Sequence, residues 1–316
     1  MRDTRIAAAQ FGNRTGDTHH NLAAMRRLVE KAVGLGAEAV SFHEGCVPAD
    51  TLVRKLARDQ VMALAEPVPE GPSTQALIEM ARQFGVAMPA GLIERDANGR
   101  RFSSYVCVTR DGPAARHRKL HAFIHPHLSS GDSYTVFEPD GVTCGILTCF
   151  DTDLVENVRI TTLLGAEVIF MPHVTCRLPS TMAGRGLVAP ELWHHREHDP
   201  APLTPEFMGP KGRGGLMRRL PASAWENGIC AAFTNPVGMD DGQVRNGDAM
   251  VLDPHGEIIT ECSTVADDVA VARCTAEKMG ASSGRRHLGA RRPELYAPPV
   301  SYTHLRAHET VLDLVC

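Results

Sequence analysis

Three side chains that can do chemistry close three short runs of this chain: Glu44 ends AVSFHE, Lys119 ends ARHRK and Cys149 ends CGILTC. A cysteine attacks as its thiolate, which needs a base or a positive charge close by. A glutamate can take the thiol proton and later pass it to a leaving amine. A lysine, compact and cationic, can stabilise the oxyanion that forms when the carbon of a C=O or C≡N group is attacked. Phe150 opens the expected helix start after Cys149, so its backbone N–H is a candidate second oxyanion donor. Taken singly, each residue has an ordinary reading: a small core cysteine, a strand-end carboxylate, a solvated base in RHRK. Cys144, with alternating neighbours, reads as core.

Other candidates lie around these three. His173 follows the apolar run VIFMP directly and is either a pocket residue or a hydrogen-bonded structural histidine. In WHHREHDP, His194 and His198 stand at i, i+4, but Glu197 follows Arg196 rather than the first histidine and no distant third ligand stands out. The reading is therefore a surface histidine cluster and no metal site. KGRGG, at 211–215, has neither Walker spacing nor a preceding strand, which argues against phosphate binding. Glu156 and Arg159 read as ion-pair or capping residues on the helix after Cys149.

The elements that must position these groups alternate. RIAAAQF (5–11) reads as a buried strand, and Leu22, Met25, Val29 and Val33 then recur at helical spacing up to Gly34 and Gly36. AEAVSFHE (37–44) reads as a second strand, about 52–65 and 74–84 as amphipathic stretches, and GVAMPAGLI as a third strand. Further strands are expected at 102–109, 134–138, 142–148, 167–172 and 229–234. A hairpin is expected in DAMVLDPHGEIITEC, turning at Asp253-Pro254-His255-Gly256. Strands interleaved with helices predict a layered α/β fold, and the lack of repeats or low-complexity linkers favours one domain, over residues 1–300. Residues 176–222, rich in Pro, Gly, His and Arg, form a long excursion that reads as a lid or an interface segment. The segment 301–316 has no matching periodicity and is expected to be a non-native or disordered tail.

The 316 residues carry a net charge of -4, so no electrostatic pull toward nucleic acid or an anionic membrane is expected. No apolar run approaches the roughly 20 residues that span a bilayer, and the N-terminal stretch lacks the form of a cleaved signal peptide. Nine cysteines, an odd number without a CxxC pair, predict reduced thiols and a cytoplasmic setting.

In their order, several stretches resemble the nitrilase superfamily of carbon–nitrogen hydrolases over about residues 4–298. They are RIAAAQF, HEGCVP around Glu44, HRKLH around Lys119, GVTCGILTCFDTDLVENVR around Cys149, GAEVIFMP, PASAWENGICAAFTNPVG and GDAMVLDPHGEII. The resemblance implies a four-layer αββα sandwich, a homodimer or higher homo-oligomer, a Glu44–Lys119–Cys149 catalytic set, and no metal or organic cofactor. It implies a small amide or nitrile as partner; CFD after the strand is closer to the amidase-like branch. An amidase releasing ammonia through a cysteine thioester is the reading. The alternatives are a nitrilase, an N-carbamoyl amide hydrolase, a non-catalytic nitrilase-like subunit or, through the histidine cluster, a metal-dependent hydrolase. Family members often carry a second glutamate between the lysine and the cysteine. Here Glu138 in YTVFE comes too late, which leaves His125, His127 or Asp132 as stand-ins.

Overall fold

The computed structural model describes residues 1–175, 180 and 186–296; the expectations for 301–316 lie outside these. In chain order the elements are β1 (Thr4–Gln10), α1 (Thr18–Gly34), β2 (Ala39–Ser41), α2 (Asp50–Val53), α3 (Arg58–Leu64), α4 (Pro72–Phe84), β3 (Met88–Arg95), β4 (Arg101–Thr109) and β5 (Gly112–Arg118). They continue as β6 (Thr135–Phe137), β7 (Cys144–Ile146), a 3₁₀ turn (Cys149–Asp153), α5 (Val155–Leu163), β8 (Val168–Pro172), α6 (Pro190–His195), α7 (Leu203–Met208), α8 (Arg213–Leu216) and α9 (Leu220–Asn227). The last are β9 (Cys230–Thr234), β10 (Val237–Asp240), β11 (Gln243–Asn246), β12 (Met250–Leu252), β13 (Ile258–Glu261), β14 (Asp268–Cys274), α10 (Ala276–Ala281) and α11 (Ser283–Gly289).

Two sheets face each other. In one, β14 pairs antiparallel with β1, β1 parallel with β2, and β3-β4-β5 form an antiparallel set. Val40 N donates to Ala87 O at 2.9 Å and Phe42 N to Pro89 O at 3.0 Å, which carries the first sheet from β2 on to β3. The other sheet runs β13-β12-β9-β8-β7-β6, with β7, β8 and β9 parallel. Ile6, Ala8, Tyr105, Cys107, Ile146, Phe170, Ala232 and Val251 fill the space between the sheets. Met25, Leu28 and Val29 of α1 and Leu77, Ile78 and Ala81 of α4 pack on the outer face of the first sheet. Val158 of α5 and Leu220 and Ala224 of α9 do the same on the second, against Ile169 and Phe233. The order helix, sheet, sheet, helix is the αββα sandwich. Strands covered on both faces need near-continuous apolar runs, which is why AAAQ and VIFMP do not alternate.

Several expected elements come out shorter or broken. The strand expected at 37–44 is regular only over Ala39–Ser41, and the stretch 52–65 divides into α2 and α3. The break has a cause: Ala57 starts α3 in extended backbone, its N–H bound to Gln60 Oε1 at 2.8 Å, and Leu56 O is taken by His125 Nε2 at 3.0 Å. After Cys149 the chain first makes a 3₁₀ turn, and the α-helix begins only at Val155. Within 176–222 the described part folds as three short helices, α6 to α8, and the first turn of α9. Trp193 there is buried with Val188, Leu203, Phe207 and Val244, so it forms a small core of its own with the β10–β11 hairpin.

Candidate active site

Glu44 follows β2, and the turn that carries it is held from three sides. His43 Nε2 meets Asn13 Oδ1 at 2.5 Å, Asn13 Nδ2 donates to Cys46 O at 2.8 Å, and Val47 N donates to Gly91 O at 3.1 Å. Burial, with the Arg245 charge adding to it, depresses the His43 pKa to about 3, so the ring beside Glu44 is neutral. Gly91 of β3 makes this packing possible: a Cβ there would sit 2.3 Å from Gly45 N and 3.0 Å from the Glu44 carbonyl carbon. Lys119 follows β5 directly. Its N–H donates to Ser103 O at 2.9 Å and its carbonyl accepts from Gly131 N at 2.8 Å. Gly131 too is needed, since a Cβ would meet Arg118 O at 2.3 Å. The two side chains meet in the interior: Lys119 Nζ donates to Glu44 Oε1 at 2.6 Å, with both side chains 1 % exposed.

Cys149 leaves β7 at a sharp corner, with φ +52. A non-glycine residue there costs on the order of 1–3 kcal/mol and persists only where the surroundings over-determine it. The surroundings do so through Asp151, two residues on. Its carboxylate accepts from Leu120 N and His121 N, each at 3.0 Å, and from His121 Nδ1 at 2.8 Å; His117 Nε2 lies 3.5 Å away. Burial alone would raise the Asp151 pKa, but hydrogen bonds from His117 and His121 and the Lys119 charge outweigh it and hold the carboxyl well below the usual range. Asp151 thus ties the cysteine turn to the backbone immediately after Lys119. The aromatic contacts agree: Phe150 stands edge-on to Phe123 (5.5 Å) and His121 (5.6 Å), and Lys119 Nζ lies 5.3 Å from the centre of the Phe123 ring.

Of the seven cysteines among the described residues, Cys149 is half-buried and the other six are buried. Burial pushes the Cys46 thiol up to about 12 and the Cys144 thiol well above its ordinary value, which leaves them as unreactive core groups.

The remaining candidates divide. His173, 3 % exposed, lies behind the cysteine turn: Nδ1 donates to Met171 O at 3.1 Å, and Nε2 lies 3.0 Å from Thr152 Oγ1. For His125 and His127, expected to bind substrate or the oxyanion, the described hydrogen bonds lie within the loop after Lys119 and on Leu56. His125 Nε2 donates to Leu56 O and Nδ1 accepts from His127 N at 3.2 Å, so both ring nitrogens serve the loop, and His127 is exposed. Asp132 and Glu138 are also exposed, so neither takes the place of a second buried glutamate. His194 and His198 are exposed, and α6 ends at His195, before the second of them. No group of three or more His, Cys, Asp or Glu among the described residues could hold a metal ion. Sequence reasoning missed the contacts of Asp151 with the backbone after Lys119 and of Arg219 with Thr152 and His173. The first had a signal, an aspartate two residues past the cysteine in CFD; the second sits in the excursion with no motif around it.

Two facing sheets with helices outside thus hold a buried carboxylate–ammonium pair, joined through Asp151 to the corner that carries Cys149. The chain belongs to the carbon–nitrogen hydrolase family, within the nitrilase superfamily: the family model matches residues 5–198 and 206–282. It is 30% identical over 260 residues to an (R)-stereoselective amidase of Pseudomonas sp, covering 81% of this chain and 80% of that one. It is 26% identical to a nitrilase of Pyrococcus abyssi, over 85% of this chain and 88% of the relative. Among solved structures, an amidase mutant from Nesterenkonia sp. AN1, with the acetamide moiety of fluoroacetamide on its active-site cysteine, superposes with a TM-score of 0.67. That likeness is at 21% identity over 93% of this chain and 95% of the other, and it speaks for the fold.

Proposed function

We propose that the protein is an amidase that releases ammonia from a small carboxamide through a thioester on Cys149. The observation that carries this is the buried 2.6 Å contact between Lys119 and Glu44, joined through Asp151 to the turn bearing Cys149. Glu44 accepts the thiol proton as Sγ adds to the carbonyl carbon. The Lys119 ammonium and the Phe150 N–H receive the oxyanion, where charge develops in a site with little water to screen it. Collapse breaks the C–N bond, and Glu44 returns the proton to the departing nitrogen as ammonia. Glu44 then takes a proton from water, which attacks the thioester; the acid leaves and the thiol is restored. The 30% identical (R)-stereoselective amidase supports an amide over a nitrile. Measuring ammonia from a panel of small amides, nitriles and N-carbamoyl compounds tests the reading. Turnover of amides above the other two classes is expected; turnover confined to nitriles or N-carbamoyl compounds would replace it, and none with any class would leave a non-catalytic subunit.

Two further parts belong to the same reading. The chain acts as a homodimer, for which the exposed apolar groups on one side give support: Val155, Trp225, Leu295 and Tyr296 are 70%, 43%, 55% and 41% exposed. Free thiols at seven described cysteines support a reducing, cytoplasmic setting.

A further inference from the structure

Behind the cysteine turn lies an ordered chain of hydrogen bonds that begins in the excursion. Arg219 Nη1 donates to Thr152 Oγ1 at 2.9 Å, and Arg219 Nη2 donates to His173 Nε2 at 2.8 Å. Thr152 Oγ1 donates in turn to Cys149 O at 2.8 Å. Asp153 Oδ1, 3.2 Å from Nη1, balances the guanidinium charge. A hydroxyl has one proton to give. Thr152 Oγ1 has two acceptors within reach, His173 Nε2 at 3.0 Å and Cys149 O at 2.8 Å; with the single lone pair of Nε2 taken by Arg219 Nη2, the proton goes to the carbonyl of the residue at φ +52. His173 fits the same direction of donation, since its Nδ1 donates to Met171 O and its Nε2 is therefore the acceptor. The backbone that carries the guanidinium is fixed: Arg219 O accepts from Ser223 N at 2.8 Å in the first turn of α9, and the adjoining Leu220 is 1 % exposed in the core beneath the second sheet.

We propose that Arg219 is a positioning residue for the nucleophile: it holds Thr152 and His173 so that the Cys149 carbonyl, and with it the thiol and the N–H of Phe150, keep the direction the reaction needs. The inference rests on the thioester reading above. It gives the end of the excursion a role of its own, because the start of α9 then sets the geometry of the turn from behind. A lysine cannot replace the fork, since one ammonium does not reach two acceptors in the same plane.

The test is steady-state kinetics of Arg219→Lys, Thr152→Val and the double variant on an amide the wild type hydrolyses, with melting temperatures measured alongside. Each single variant should lose about tenfold or more in kcat with KM changed by less than about threefold, as for an interaction used in the transition state. The double variant should be little worse than either single, because both cut one chain. In Arg219→Ala, added guanidinium should recover part of kcat; it should not do so in Thr152→Val. A kcat within about twofold of wild type in Arg219→Lys, or losses that simply add, overturns the proposal, as does a fall in melting temperature alone. Should Arg219→Lys not fold, Thr152→Val decides by itself, since it removes one hydroxyl and no charge. Cys149→Ala run in parallel separates the two levels. If it is inactive while Arg219→Lys is unimpaired, only this inference fails; if it turns over, the thioester reading fails beneath it.

Discussion

At the scale of single residues, the site depends on which charges are kept and where. Lys119 meets Glu44 with both side chains out of water, so removing the ammonium leaves a buried carboxylate without it as well as an unsupported oxyanion. Lys119→Ala should cost about 3 kcal/mol of transition-state stabilisation, and Lys119→Arg should not restore it; kcat/KM on an amide measures both. Asp151 offers a pH test. Its folded pKa lies below its unfolded one, so its contribution to stability is fully present above about pH 4 and is lost as pH falls toward the folded value. Melting curves of wild type and Asp151→Asn should therefore converge as the pH drops below about 4; a constant gap down to the lowest pH would contradict the assignment. Reactivity should follow burial: iodoacetamide should label the peptide containing Cys149 before those containing Cys46 or Cys144, as read by peptide mass.

At the scale of elements, close approach decides. Gly91→Ala would push a methyl group into the Glu44 turn, with Gly45 N 2.3 Å away, so the turn must move. The expected result is a large loss of kcat with the circular dichroism spectrum retained, and wild-type kcat would mean that the turn tolerates displacement. Trp193→Ala should remove the centre of the small core that joins α6 and α7 to the β10–β11 hairpin, at about 3–5 kcal/mol for a buried aromatic. Because the indole packs on Phe207 and Gly238, stability should fall, as read by thermal unfolding; a changed substrate preference at unchanged stability would restore the lid reading. The strands β1, β3, β4, β8 and β9 and the helices α1 and α4 were legible in the sequence because their apolar runs and their helical spacing are continuous; β5, β10, β11 and β14 were not expected, and β5, which leads to Lys119, has no apolar run in GPAARHR. The corner at Cys149 and the division of 52–65 were not, because each depends on a distant hydrogen bond: Asp151 to the backbone after Lys119, and His125 to Leu56 O. Ordered motifs pointed to Glu44, Lys119 and Cys149. Proximity in sequence to Lys119 does not fix where a ring nitrogen finds its partner, as His125 shows by reaching Leu56 O.

At the scale of the whole molecule, the second sheet delivers the cysteine and the first delivers the glutamate and the lysine, so the site exists only while the two sheets stay registered. The side of the sandwich formed by α5 and α9 leaves Val155 and Trp225 exposed, which is where a second copy would pack. Val155→Asp should shift the molecular mass in light scattering from dimer to monomer; an unchanged mass would place the interface elsewhere. The central claim is that Cys149 carries the acyl group. Mixing the enzyme with a small amide, quenching in acid and mapping peptide masses tests it most directly. The account predicts one acyl group, on the peptide containing Cys149, absent from Cys149→Ala and still present in Cys144→Ala. Amide turnover with no acyl group trapped on that peptide, or turnover that survives in Cys149→Ala, would contradict it.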